Sequence, residues 1–282
     1  MLRKLMKHEI RATAAPVLIV CAVLLAIGAI TRLFYALAPL TEDFYDVFYV
    51  IAMLLNTFQM FGLSAAGMFI TVFIAFRFYN NVYGNEGYCT LMLPVPRSSI
   101  IVSKMLVDIL WIVLCYAAFA LSLVISGAGV TDENVVVIYA EMFEIYGNAF
   151  GALDMYLEVH PAVYIAELIV LIVISIFGTV LPIFCAISIG QLFKKHRILG
   201  SVAAYFGIST ILQTFTVIFV YAYAIGITIF IETSVLPAIE LTWIVEMIVQ
   251  VGIIVFLALY AIVTAAQYFI TKYIMKNAVN LQ

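Results

Sequence analysis

The chain is 282 residues long, 66% hydrophobic and only 10% charged, with a formal net charge of -3. Soluble domains are just under half apolar and about a quarter charged, so a soluble globule is excluded: its core has no room for so much apolar surface. Crossing a hydrocarbon layer of about 30 Å takes roughly 20 apolar residues, and on that divisor the sequence predicts an all-α, polytopic membrane protein of about six spans, one transmembrane domain over 1–282.

The basic opening MLRKLMKHEIR runs into an apolar block longer than the core of a secretion signal, with no convincing small-residue cleavage site. It is therefore a retained first span over about 14–38. Further windows with few or no charges cover 47–76, 105–126, 161–190, 198–230 and 242–270. With six spans the termini share a side. Arg3, Lys4, Lys7 and Arg11 fall there, with Arg77, Arg97 and Lys104 after the second span, Lys194, Lys195 and Arg197 after the fourth, and Lys272 and Lys276 at the end. Retention of Lys and Arg orients short loops during insertion, which predicts a multi-pass protein of the cell membrane with both termini cytoplasmic. Only Arg32 stands against that orientation. The opposite segments are acidic: Glu42, Asp43 and Asp46; Asp132, Glu133, Glu141, Glu144, Asp154 and Glu158; Glu232 and Glu240.

The outer loop 127–160 has apolar residues at helical spacing, among them Ile138, Met142, Ile145 and Leu153, which predicts an amphipathic helix in the membrane interface. No fixed-period repeat or copy of the first three spans in the last three is present, so a duplicated secondary-transporter architecture has no support. The four cysteines, Cys21, Cys89, Cys115 and Cys185, have no paired spacing, which predicts neither a disulfide framework nor a metal site.

No G-x-x-x-x-G-K-[ST] loop occurs, so no cofactor is expected on this chain. Membrane-embedded catalysis needs a serine with a histidine, two aspartates or an H-E-x-x-H at membrane depth. His8, His160 and His196 lie in or beside loops, and His8-Glu9 lacks the second histidine, so no catalytic residue is expected. The ionisable residues within spans are Asp108, Glu167 and Glu246, with Arg32 near an outer end. Each lies within about two turns of a predicted helix end, where charge is less costly than at the midplane, so reaching the headgroups or pairing locally is the first reading. The second, a polar lining of a substrate path, fits Glu167 and Glu246 best.

Between the second and third spans, over 77–105, runs RFYNNVYGNEGYCTLMLPVPRSSIIVSKM. Gly84 and Gly87 permit tight turns, Glu86 and Tyr88 offer polar and aromatic contacts, and Pro94 and Pro96 interrupt any helix after Leu93. Ser98 or Ser99 then caps the helix entering span three. The product is a short, partly apolar knob, read as a docking surface in preference to an ordinary loop.

At FYNNVYGNEGYCTLMLPV, at Ser103-Lys104 and at the opening MLRKLMKHEIRAT, the chain resembles the permeases of type-2 ATP-binding-cassette exporters, particularly the short six-span members from Gram-positive, clostridia-like bacteria. The resemblance implies a cytoplasmic coupling helix within 77–104 that enters a cleft in a separate ATPase subunit, with Gly84, Glu86, Gly87, Tyr88, Leu93 and Pro94 at the contact. It implies an amphipathic elbow helix over 1–13 whose buried face is Leu2, Leu5, Met6 and Ile10. It also implies a second permease copy or a paralogue as partner, and ATP and Mg held by the ATPase. A re-entrant segment between spans five and six is short here, around 225–241. The expected cargo is a peptide, drug or lipid-like molecule; membrane lipids, and no nucleic acid, are the other partners. The alternatives are an ion-coupled secondary carrier using Glu167 and Glu246, or a non-transporting scaffold.

Overall fold

In lipid no water is present to satisfy backbone N–H and C=O groups, so a chain this apolar must bond them within its own helices. A computed structural model of the protein describes residues 2–40, 44–84, 86–92, 94–127, 144, 161–193, 195–233 and 238–277. All regular structure among them is helical: α1 (Leu2–Leu37) with a 3-10 turn at Ala38–Leu40, α2 (Tyr45–Val82), α3 (Gly87–Leu91), α4 (Arg97–Gly127), α5 (Pro161–Gly190), α6 (Arg197–Thr233) and α7 (Ala238–Asn277). Six of these, all but α3, are long and apolar enough to cross a membrane.

Two expectations change in detail. The elbow over 1–13 and the span from 14 are one unbroken helix, α1, with Pro16 inside it. The reason is one face shared by both parts: half-buried Leu2, Leu5, Met6 and Glu9 lead at three- and four-residue steps into buried Thr13, Val17, Cys21, Leu24, Gly28, Thr31 and Tyr35. The second span, expected over 47–76, runs on to Val82 because Phe78, Asn81 and Val82 are buried in protein and need no apolar lipid contact. At 38 residues and 1.5 Å per residue α2 is about 57 Å long, so it extends well beyond a hydrocarbon layer. The outer-loop amphipathic helix lies outside the described residues apart from Glu144. Of the segment 225–241, the described part is ordinary helix end, belonging to α6 up to Thr233 and to α7 from Ala238.

The chain divides into two compact units, one of Met1–Arg77 with Pro94–Ile145, the other of Phe78–Leu93 with Tyr146–Gln282. In the first, α1 packs along α4. The two helices approach tightly at Gly28, where a Cβ would lie 2.5 Å from Ser122 Oγ; glycine there lets the backbones near each other, as small residues do in membrane helix pairs. Ser122 Oγ donates to the Leu24 carbonyl at 2.6 Å and accepts from Gln59 Nε2 at 2.8 Å, which ties α2 to the same point. Leu24, Ala66 and Phe119 form the apolar cluster beside it. The Cys21 and Cys115 sulfurs lie 3.3 Å apart, both as free thiols. In the second unit, α5 packs on α6 and on α7. Gly178 leaves room for the Tyr260 ring and Gly252 for the Tyr223 ring. From Val180 to Ser188 α5 is buried all round; α6, in contrast, buries only Gly200 and Ser201.

Candidate functional site

Three places in the fold gather the residues singled out from the sequence. The first is the connection between α2 and α4. The last turn of α2 closes with the N–H groups of Tyr83 and Gly84 both donating to the Tyr79 carbonyl, at 2.8 and 2.9 Å. A Cβ at Gly84 would sit 2.9 Å from the Asn80 backbone, so only glycine lets the chain double back there. Gly87 N–H then donates to the Gly84 carbonyl at 2.9 Å, and α3 follows, with Thr90 N–H to Glu86 and Met92 N–H to Tyr88. The helix ends before Pro94. Ser98 and Ser99, expected as caps, lie inside the first turn of α4, which begins at Arg97; the Pro96 carbonyl accepts from Ser99 N–H at 2.8 Å.

The root of this segment is fixed within the second unit. Phe78 stacks on Phe184 of α5 with ring centroids 3.9 Å apart and meets Tyr83 edge-on. Tyr83 Oη donates to Ser188 Oγ at 2.8 Å, which in turn donates to the Phe184 carbonyl at 2.8 Å. Burial pushes the Tyr83 phenol well above the ordinary tyrosine range, against the lowering effect of its hydrogen bond. The tip is outward: Glu86, Tyr88, Cys89 and Pro94 are exposed, and Met92 is 79% exposed. Of the six residues assigned to an ATPase contact, Glu86, Tyr88 and Pro94 are therefore on the surface. Gly84 is half-buried and Gly87 buried, where they make the turn, and Leu93 lies outside the described residues. Met92, the most outward side chain, was absent from the expected contact set although its place before Leu93-Pro94 marks it as the helix end.

The second place is a charged cluster in the first unit. Glu9 of α1 accepts from Lys104 Nζ of α4 and lies 3.5 Å from Arg77 Nη2 of α2. Lys104 is only 5% exposed. Asp108, one turn further along α4, is buried within the field of the same three charges. Thr13 Oγ1 donates to the Glu9 carbonyl at 2.7 Å and accepts from Trp111 Nε1 at 2.8 Å. Two cations are thus paired with one carboxylate, that of Glu9, and Asp108 is buried one turn from Lys104. On the same α1 face, Leu2, Leu5, Met6 and Ile10 are half-buried, whereas Arg3, Lys4, Lys7, His8 and Arg11 are exposed.

The third place, within the second unit, brings Glu167 of α5 and Glu246 of α7 together. Tyr164 Oη donates to Glu246 Oε1 at 3.1 Å, and Gln250 Nε2 donates to Glu167 Oε1. The two rungs cross in opposite directions because Tyr164 and Glu167 are three residues apart on one helix and Glu246 and Gln250 four apart on the other, so each pair shares a face. That spacing was the available signal for Tyr164 and Gln250, which reading charges alone passed over. The rungs border a cavity of about 450 Å³ lined by Tyr164, Glu167, Leu171, Phe219, Tyr223 and Phe256 among others. Glu167 Oε2 and Gln250 Oε1 are buried without a hydrogen-bond partner. Among the described residues no three His, Cys, Asp or Glu side chains gather to hold a metal ion.

Neither protein-family models nor curated proteins nor solved structures give any match to this chain.

Proposed function

We propose that the chain is the permease subunit of an ATP-driven ATP-binding-cassette exporter in the cell membrane, with both termini cytoplasmic, forming the translocation path while a separate ATPase subunit hydrolyses ATP with Mg. It works with a second permease copy or a paralogue, and its cargo is a peptide, drug or lipid-like molecule. The observation that carries the reading is α3: a five-residue helix between the second and third membrane-crossing helices, outward at Glu86, Tyr88 and Met92, on a root buried at Phe78 and Tyr83. A docking element that only binds can sit on a slack loop; one that transmits force needs a stiff root. A push on α3 reaches α5 through the Phe78–Phe184 stack and the Tyr83–Ser188 bond. Such a linkage suits a two-state switch driven by closure of an ATPase pair.

Affinity purification of the tagged chain in mild detergent tests the reading. Wild type retains a nucleotide-binding subunit with ATPase activity, and a variant carrying Glu86→Ala and Tyr88→Ala loses it. Recovery of no nucleotide-binding protein with the wild type refutes the proposal. The second reading, an ion-coupled carrier, is favoured by one observation, the convergence of Glu167 and Glu246; under it, replacing both with glutamine abolishes transport and no ATPase is needed.

A further inference from the structure

The cavity between α5, α6 and α7 has an unusual balance of polar groups. Its donors are used: the Tyr164 hydroxyl on Glu246, the Gln250 amide on Glu167, and the Tyr223 hydroxyl on the Ile248 carbonyl. Acceptors are left over, since Glu167 Oε2, and Gln250 Oε1 on the neighbouring helix, are buried and unbonded. No lysine or arginine occurs in 161–193 or in 198–271, and the basic residue nearest Glu167 in sequence is His160, seven positions before it and outside the described residues. Along α5, Glu167 is 23 residues from Gly190, about 35 Å at 1.5 Å per residue, so the basic residues beyond that end are far outside pairing distance. A buried carboxylate oxygen left without a donor is costly, and the cost is removed by a proton on the carboxyl, or by a donor or a positive charge brought from outside.

The rest of the lining decides which kind of cation fits. Leu171, Phe219, Tyr223 and Phe256 present hydrocarbon and ring faces, with Phe219 5.8 Å from Tyr223 and 5.5 Å from Phe256 between centroids. Ca2+ and Mg2+ take six or more oxygen ligands, and an apolar wall cannot supply them. Ring faces do attract an organic cation, and about 450 Å³ lies within the range of roughly 300–1,000 Å³ typical of small-molecule sites.

We propose that this cavity binds a hydrophobic organic cation, its apolar body against Leu171, Phe219, Tyr223 and Phe256 and its positive centre at Glu167. Calling that cation the cargo rests on the export reading; the binding itself does not. The test uses the purified full chain in detergent and two probes of nearly the same shape and opposite charge, tetraphenylphosphonium and tetraphenylborate. Wild type binds the phosphonium at least about tenfold more tightly than the borate, and Glu167→Gln removes the preference. Equal binding of the two ions, preference for the borate, or an unchanged preference in Glu167→Gln overturns the proposal. Should Glu167→Gln not yield monodisperse protein, Leu171→Trp fills the cavity instead: a loss of phosphonium binding of about tenfold or more supports the site, and undiminished binding overturns it. Phosphonium binding without ATPase capture strikes the export reading alone; capture without phosphonium binding strikes the cavity assignment alone.

Discussion

Two groups of ionisable side chains lie inside the helices of this protein, and they are built on opposite plans. Around Glu9 the charges are paired: Lys104 and Arg77 both meet its carboxylate, and the neighbouring Thr13 and Trp111 satisfy each other and the Glu9 backbone. Around Glu167 they are not: its carboxylate meets a glutamine amide, no lysine or arginine lies in 161–193 or 198–271, and Glu167 Oε2 and Gln250 Oε1 are left over. A closed cluster fixes helices to one another. An open one has unused bonding capacity that something else must take up. The difference teaches that a charge in a span is informative less by its presence than by what remains unsatisfied after its neighbours are counted.

The sharpest way to break the comparison is to open the closed cluster. Glu9→Ala leaves Lys104, 5% exposed, without the carboxylate that holds it. Removing one partner of a buried ion pair typically costs about 3–5 kcal/mol, and partial exposure of Arg77 puts the expected loss toward the lower end. Reversible unfolding in mixed micelles by SDS titration reads it directly. The double variant Glu9→Gln with Lys104→Met, which removes both charges and keeps the volumes, is expected to recover most of the loss. A single variant as stable as wild type would show that the cluster is not closed.

Tyr83 separates closure from charge, because its contact is closed but neutral. Tyr83→Phe removes the bond to Ser188, whose hydroxyl still donates to the Phe184 carbonyl, so the expected loss is about 0.5–1.5 kcal/mol. The sign of its pH dependence follows from the raised phenol. The folded protein holds that proton more tightly than the unfolded chain, so the advantage of tyrosine over phenylalanine is complete below pH 10 or so, the unfolded value. Above it the unfolded state alone deprotonates, and the advantage shrinks by about 1.4 kcal/mol per pH unit. A gap between the two proteins that widens on going alkaline would contradict the buried placement of Tyr83.

How much of this was legible in the sequence depends on the range of the signal. Apolar blocks against rare charges are local, and they placed all six membrane-crossing helices. Helix ends were less legible: Arg77, Asn80 and Asn81 look like the start of a loop, yet α2 continues because protein, not lipid, surrounds that turn. Glu9 was the least legible of all. Its partner Lys104 is 95 residues away, and nothing in the local pattern distinguishes it from the basic opening around it. Glu167 and Glu246 stood out because each is a lone acid in an apolar run, but their meeting required the packing of α5 on α7. The knob over 77–105 was readable from its glycines and prolines, whereas its anchoring on Phe184 and Ser188 was not, since aromatic and serine residues on α5 carry no mark of what they receive.

The smallest effect is expected where the group is open, and it runs in the opposite direction. Glu167→Gln keeps an acceptor for the Gln250 amide and replaces the unbonded oxygen with an N–H donor. Gln250 Oε1, on the residue that bonds Glu167, also lacks a donor. The substitution therefore removes a buried charge without opening a hydrogen bond, and stability is expected to equal wild type or exceed it by up to about 1 kcal/mol in the same SDS titration. A loss of more than about 2 kcal/mol would mean that the carboxylate is paired in the folded protein as Glu9 is, and the contrast between the two groups would fall. Equal or higher stability, joined to a loss of tetraphenylphosphonium binding, would show a side chain kept at some cost to the fold for what it binds, which separates a ligand site from a structural ion pair.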